Sequence, residues 1–380
     1  MAMYDGQEEL DNLVWDKNDE DSGEAQNQMR LKVTLGPFIF MERVENRGSV
    51  SARLTRPSED PSTPHVLDAN VSETTLGAIW GKIACCLLQL SRITFPRIGS
   101  LVQAEDGSYE WYTALAEMHI AQLIFQHNDL VVSEDDCRNK FVARQLFRRL
   151  ARQGRLSTFG FAEDDWSSQS SKFPDLATCP APSGSDSFRL WGDDFRAGNI
   201  LLTEADDIAA LIDWEYAYVA PTQFILDPPW WLLIETAEMW SSGVDDWKET
   251  YDTRLKTWLA ALERAEEDLK EPSGLPAPLS TYMRESWETG RFFLSYGARK
   301  SWAFDTMYWK FLDERFFGDR EAAVLKYDLW KTRLHLLSEE ERAAMEPFVE
   351  RKMTDAKERR IVDWDPTGAE QRFSELLFDS

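Results

Sequence analysis

Asp194-Phe-Arg-Ala-Gly-Asn199 sets a carboxylate five residues ahead of an amide, and fourteen residues after Asn199, Asp213 follows in the run Ile212-Asp213-Trp214-Glu215. These residue types suit phosphoryl transfer. That reaction calls for an acceptor-only side chain to orient an attacking hydroxyl and take its proton, and for oxygen ligands on the magnesium that neutralises the β- and γ-phosphates. Asp194, Asn199 and Asp213 supply them in that order. The spacing alone is common, and Asp194 and Asn199 could simply bracket a turn, since both residue types favour loops for their local backbone hydrogen bonds. The context is more specific. A short strand at Ile200 to Thr203, a turn at 204–207 and a strand at Ile208 to Ile212 separate the amide from the second acid. An acid between Ile212 and Trp214 is also costly to bury without a partner. Arg196 could touch phosphate or substrate, or pair with a neighbouring acid. Other chemistries find little support: His65, His119, His127 and His335 form no cluster, and no G-x-S-x-G occurs.

The elements that must position these residues read as a small strand component in a mainly helical α+β body. Leu76, Ile79, Trp80, Ile83, Leu87 and Leu90 recur at three- and four-residue spacing, which predicts a helix with one buried stripe over Glu73 to Ser91. A second helix is expected over Trp111 to His127. Ser133 followed by Glu134-Asp135-Asp136 gives an N-cap and first-turn negative charge, and Phe141, Ala143, Leu146, Phe147 and Leu150 continue that third helix. Residues 167–187 are rich in Ser and Pro without hydrophobic period and read as a surface loop. Tyr251, Leu255, Trp258, Leu259 and Leu262 mark a further amphipathic helix, EPSGLPAPLS a linker, and residues 281–350 more helix. Trp230 and Trp231, after Pro228-Pro229, read as packing and turn rigidity, with a substrate platform as the alternative.

Composition narrows the classes. With 42 Lys+Arg against 67 Asp+Glu, the 380-residue chain carries −25, unsuited to a nucleic-acid or anionic membrane surface, where Lys and Arg must neutralise phosphate. No stretch reaches the roughly 18 apolar residues of a membrane helix, and MAMYDGQEEL lacks a signal peptide's basic and apolar parts, so a cytoplasmic protein is expected. Cys85, Cys86, Cys137 and Cys179 show no C-x-x-C spacing and read as buried thiols. Residues 1–28 hold nine carboxylates against Lys17 alone, the composition of a disordered acidic tail. Order is expected from Met29, where Val33, Leu35, Phe38, Ile39, Phe40 and Met41 have strand-like content interrupted by Gly36-Pro37. The expected organisation is a tail at 1–28, a domain at 29–350 with its loops at 190–221, and an extension at 351–380.

LWGDDFRAGNILL together with ALIDWEYAYVAPTQF and DPPWWLL resembles the aminoglycoside phosphotransferase-like family, especially its branch found in fungi. LGPFIFMERVE looks like that family's hinge strand and linker, LSRITFPRIGSL and the DDCR segment look typical of the branch, and the resemblance covers roughly residues 30–265. It implies a protein-kinase-like C-terminal lobe that uses ATP and Mg2+. By the family pattern Asp194 would be the catalytic aspartate, Asn199 and Asp213 the magnesium ligands, Glu215 an accessory acid near the metal, and Met41, Glu42, Arg43 and Val44 the hinge contacting adenine. Two departures stand out. Gly192-Asp193 occupies the places of the family's His-Gly, which normally braces the loop, and taking Asp193 as the base would restore Gly-Asp but lengthen the distance to Asn199 to six residues. Further, a kinase-like N-terminal lobe carries a phosphate-covering loop and a strand lysine, whereas thirty-five residues precede Gly36 and neither Lys17 nor Lys32 has that setting. The expected activity is phosphoryl transfer to a hydroxyl of a small molecule. The alternatives are a truncated or degenerate kinase-like fold serving as a non-catalytic binding module, and a longer natural chain whose lobe lies upstream of Met1. A surface bared by the truncated lobe, around Phe38, Phe40 and Val44, would suit a protein partner.

Overall fold

The structure, a computed structural model, describes residues 3–4, 38–39, 44–56, 65–103, 109–112, 131–156, 179–182, 188–214, 216–269, 274–320 and 324–358. It divides into two units, Met1–Asn46 and Arg47–Ser380. In the first, β1 (Met3–Tyr4) pairs antiparallel with β2 (Phe38–Ile39), so two residues of the acidic segment lie in a strand. The rest of that segment lies outside the described residues, as do Phe40, Met41, Glu42 and Arg43 of the expected hinge. Val44 is half-buried, and its carbonyl accepts a bond from Asn46 Nδ2 at 2.8 Å.

The second unit begins with β3 (Gly48–Ser49) and the short α1 (Val50–Leu54). Helix α2 (Glu73–Ser91) starts where its sequence says it should: Ser72 accepts from the Thr75 amide at 3.1 Å, satisfying a first-turn N–H. Of the stripe the spacing marks, Leu76, Ile79, Trp80 and Ile83 are buried, whereas Leu87 and Leu90 are half-buried and Leu88 takes the buried place near the end. Next come β4 (Thr94–Phe95), β5 (Ser100–Gln103) and β6 (Tyr109–Tyr112). Here the expected second helix is corrected. Trp111 and Tyr112 are not helical but pair with Leu101 and Ser100 in an antiparallel hairpin. Asp106-Gly107 between the two strands is a hairpin signal, and the aromatic content of β6 favours a pleated surface. Residues 113–127 of that expectation lie outside the described residues.

Helix α3 (Glu134–Arg152) is capped by Ser133, with Glu134, Asp135 and Asp136 in its first turn. Most of the 167–187 segment lies outside the described residues. The strands β7 (Phe188–Gly192), β8 (Ile200–Leu202), β9 (Ile208–Leu211) and β10 (Ala217–Pro221) then form two small antiparallel sheets, ordered β10-β7-β4 and β3-β8-β9. The remainder is helical: α4 (Val244–Leu269), α5 (Leu279–Thr289), α6 (Arg291–Arg299), α7 (Phe304–Met307), a π turn at Tyr308–Leu312, α8 (Asp313–Phe317), α9 (Leu329–Arg333) and α10 (Glu339–Glu358). The last helix runs through position 350, where the sequence reading ends the domain. Gly290 separates α5 from α6 at φ +77°, a conformation a Cβ would strain, and lets the chain reverse between them.

The core is aromatic. Trp80 of α2 meets Trp258 of α4 edge-on at 6.3 Å, and Trp231 meets the same ring at 6.1 Å. Along α4 to α6, Trp247, Tyr251, Trp287, Phe292 and Tyr296 form a continuous run of ring contacts. Such pairs add about 0.5–1.5 kcal/mol each beyond their buried area. Cys137 and Cys179 are buried, and burial pushes both thiols up to about 11. The thiolate is the reactive form. Iodoacetamide at pH 8 is therefore expected to leave these two cysteines unmodified in the folded protein and to label them once urea unfolds it, read by peptide mass spectrometry.

Candidate active site

Strand β7 delivers the chain to Gly192, residues 193–199 form a loop ending in a 3-10 turn at Ala197–Asn199, and β8 follows at once. The β8–β9 hairpin then folds the sequence back on itself. Ile200 pairs with Leu211, and the Ile212 amide donates to the Asn199 carbonyl at 3.0 Å, so Asp213 returns to the point where Asn199 left. Chain separation disappears through register alone. Beyond Asp213 the chain crosses to β10, where Ala217 pairs with Gly192, closing the loop on its other flank.

The three residues singled out by type and spacing meet there. Asn199 is buried, and its Nδ2 donates to Asp194 Oδ2 and to the Asp194 carbonyl at 2.9 Å each, with Asp213 Oδ2 at 3.5 Å. Asp194 is half-buried and Asp213 exposed. Asp213 sits at φ +64°, in the left-handed region that aspartate tolerates better than most residues. Arg196 is brought to Asp194 as well: its Nε donates to Oδ1 at 2.9 Å, which makes it a partner of the neighbouring acid. With the two side chains 45% and 30% exposed, that pair contributes about 0–1 kcal/mol.

Asp193 has different surroundings. It is 2% exposed, accepts from Lys300 Nζ at 3.1 Å through both its carbonyl and Oδ2, and accepts from Trp191 Nε1 at 3.0 Å through Oδ1. Lys300 Nζ lies over the rings of Trp230 and Trp302 at 5.8 and 5.2 Å. The neighbouring aspartates thus face opposite ways, one into an ion pair beneath the loop and one toward Asn199. Asp227 adds a second buried pair. Arg299 Nη2 donates to it at 3.0 Å and Ser286 Oγ at 2.5 Å, while burial pushes its carboxyl above the ordinary range against the pull of Arg299. Arg299 in turn covers the rings of Trp191, near the end of β7, and Phe224 at 4.8 Å each.

The hairpin tip is tied down by three cations. Arg47 and Arg53 both reach Asp206 at 3.2 Å, and Lys82 of α2 reaches the Asp206 carbonyl at 2.8 Å and the Asp207 carboxylate at 2.6 Å. None of these, nor Lys300, carries a motif that marks it in the sequence. Glu215 lies outside the described residues, as do Met41, Glu42 and Arg43.

Among the described residues no group of three or more His, Cys, Asp or Glu is placed to hold a metal ion. The loop and the end of the β8–β9 hairpin together offer two carboxylates, Asp194 and Asp213, and the Asn199 amide. Such a donor set fits magnesium, a hard cation that takes one or two carboxylates and keeps several waters. Among the described residues no helix is long and apolar enough to cross a membrane.

No family model matches the chain, and no curated protein matches it. Among solved structures, a macrolide 2'-phosphotransferase type I is similar at 14% identity, over 77% of this chain and 72% of that one, with a TM-score of 0.30. At that level the geometry of the loop is the firmer guide.

Proposed function

We propose that the chain is a kinase-like phosphotransferase that moves the γ-phosphoryl group of ATP to a hydroxyl of a small molecule. The observation that carries this reading is the meeting of Asp194, Asn199 and Asp213 around one amide nitrogen. Asp194 orients the acceptor hydroxyl and takes its proton as the oxygen attacks phosphorus and the bond to the ADP oxygen breaks. Asp213 and the Asn199 amide oxygen would hold Mg2+, with Glu215 as an accessory acid. When bound, the ion neutralises charge on the β- and γ-phosphate oxygens. Met41 to Val44 would contact the adenine. Asn199 fixes the Asp194 carboxylate by donating to it, and the ion pair beneath the loop fixes its backbone.

The informative variant is Asp213→Asn rather than Asp213→Ala, because asparagine tolerates φ +64° and removes only the charge. Calorimetric titration with ATP is expected to show a loss of at least about tenfold in affinity, about 1.4 kcal/mol, with magnesium present, and little change without it. Asn199→Ala should act in the same direction. Equal losses in both conditions would remove Asp213 from the metal shell.

One observation favours the second reading, a non-catalytic binding module: Arg196 already occupies one oxygen of the carboxylate that would take the proton. Arg196→Ala separates the two. A catalytic Asp194 gives turnover that survives this change and falls by roughly 10²–10⁴ with Asp194→Asn, whereas a binding module gives no turnover in any form.

A further inference from the structure

Gly192, Phe195 and Trp214 present their other side to a cavity of about 70 Å³ that is distinct from the Asp194–Asn199–Asp213 cluster. We infer that this cavity is a binding site for a small, neutral, ring-containing molecule whose occupancy is felt by the loop at 193–199. The inference does not depend on the phosphotransferase reading.

Three features carry it. The first is size. One water needs roughly 10–15 Å³ of such space, and larger cavities lined by apolar groups stay dry and admit apolar molecules. The second is chemistry. Trp231, Met283 and Phe292 form a fully buried floor, and half-buried Leu90, Trp191 and Trp214 line the other side. Aromatic walls favour a flat ring, packed face-on or edge-on. The third is charge. Asp227 and Arg299 are the charged side chains in the wall, and each already holds the other at 3.0 Å. The second Asp227 oxygen accepts from Ser286, and Arg299 also donates to the Ser295 and Phe224 carbonyls at 3.2 and 3.1 Å. The Tyr296 hydroxyl is likewise engaged by Glu238 at 3.2 Å. Among the described residues no charge is left over to compensate an ion, so an ionic ligand would enter without a counter-charge, at high cost. A neutral ring has no such cost.

The link to the loop is one of shared walls. Gly192 precedes Asp193, Phe195 follows Asp194, and Trp214 follows Asp213. A Cβ at Gly192 would lie 3.1 Å from the Trp214 ring, and Phe195 contacts Trp214 and Trp231 at 6.0 and 6.2 Å between centroids. A molecule pressing on Trp214 or Phe195 therefore presses on the backbone that carries both acids.

The test uses the full chain and indole as probe, with benzoate and benzylammonium as charged counterparts of similar size. Calorimetric titration is expected to show saturable indole binding, with each ion at least about tenfold weaker. Leu90→Trp, which fills the cavity, should abolish indole binding. In case that variant does not fold, Met283→Ala enlarges the floor and should admit naphthalene, which the unaltered protein is expected to exclude. On saturation with indole the Asn199 side-chain amide resonances, reporting its bonds to Asp194 from outside the cavity wall, should shift. Absence of saturable binding, equal binding of the ions, binding undiminished in folded Leu90→Trp, or naphthalene excluded from Met283→Ala would overturn the site. Unmoved Asn199 signals at saturation would overturn its coupling to the loop.

Discussion

Asp194→Asn is expected to lower turnover by roughly 10²–10⁴, the usual range for loss of a positioned general base, or about 3–5 kcal/mol of barrier. The fold should hardly notice. Asparagine keeps an oxygen for Asn199 Nδ2 or Arg196 Nε, and the Arg196 pair is too exposed to contribute much. Nucleotide affinity should change little, because on the proposed reading the base would face the acceptor hydroxyl rather than the phosphates. The measurement is ATP consumption with a panel of small alcohols, run beside thermal unfolding of the same preparations. A loss confined to stability, with turnover intact, would remove Asp194 from the chemistry.

Lys300→Met is the largest expected effect on stability. The side chains of Lys300 and Asp193 are 8% and 1% exposed, so removing the cation strands a carboxylate in the interior. Breaking a buried pair from one side costs about 3–5 kcal/mol, whereas removing both charges together costs far less. Thermal or urea unfolding should therefore show Lys300→Met and Asp193→Asn each strongly destabilised, and the double variant more stable than the sum of the two losses predicts. Strict additivity would mean that the two side chains do not act as a pair. The neighbouring aspartates thus separate by readout: Asp194 through turnover, Asp193 through stability.

What the sequence made legible is what lies close together along the chain. Asp194, Asn199 and Asp213 could be picked out because one hairpin joins them, and the alternation and turn residues of a hairpin are local signals. The helix at Glu73–Ser91 was legible for the same reason, from its three- and four-residue apolar spacing. Lys300 was not, because it lies 107 residues from the aspartate it holds, and no periodicity marks a lysine that packing will bury. The Asp227–Arg299 pair was hidden in the same way. Trp111 and Tyr112 were misassigned because an apolar run of that length is compatible with both helix and strand, and hydrogen-bonded pairing with Ser100 and Leu101 decides it. The buried Asp193 was read only as an alternative base, since adjacent residues on a loop can face opposite ways and sequence order does not say which.

The run of rings from α4 to α6 has an optical consequence. Trp247 and Tyr251 stand 4.6 Å apart, Tyr251 and Trp287 4.5 Å, Trp287 and Phe292 5.4 Å, and Phe292 and Tyr296 5.7 Å. Chromophores held this close in a fixed asymmetric array give intense near-ultraviolet circular dichroism, which vanishes when side chains begin to tumble even if the helices persist. Near- and far-ultraviolet spectra recorded during one acid or heat titration would show whether the helical half of the second unit loosens before it unwinds, without labels or substitutions.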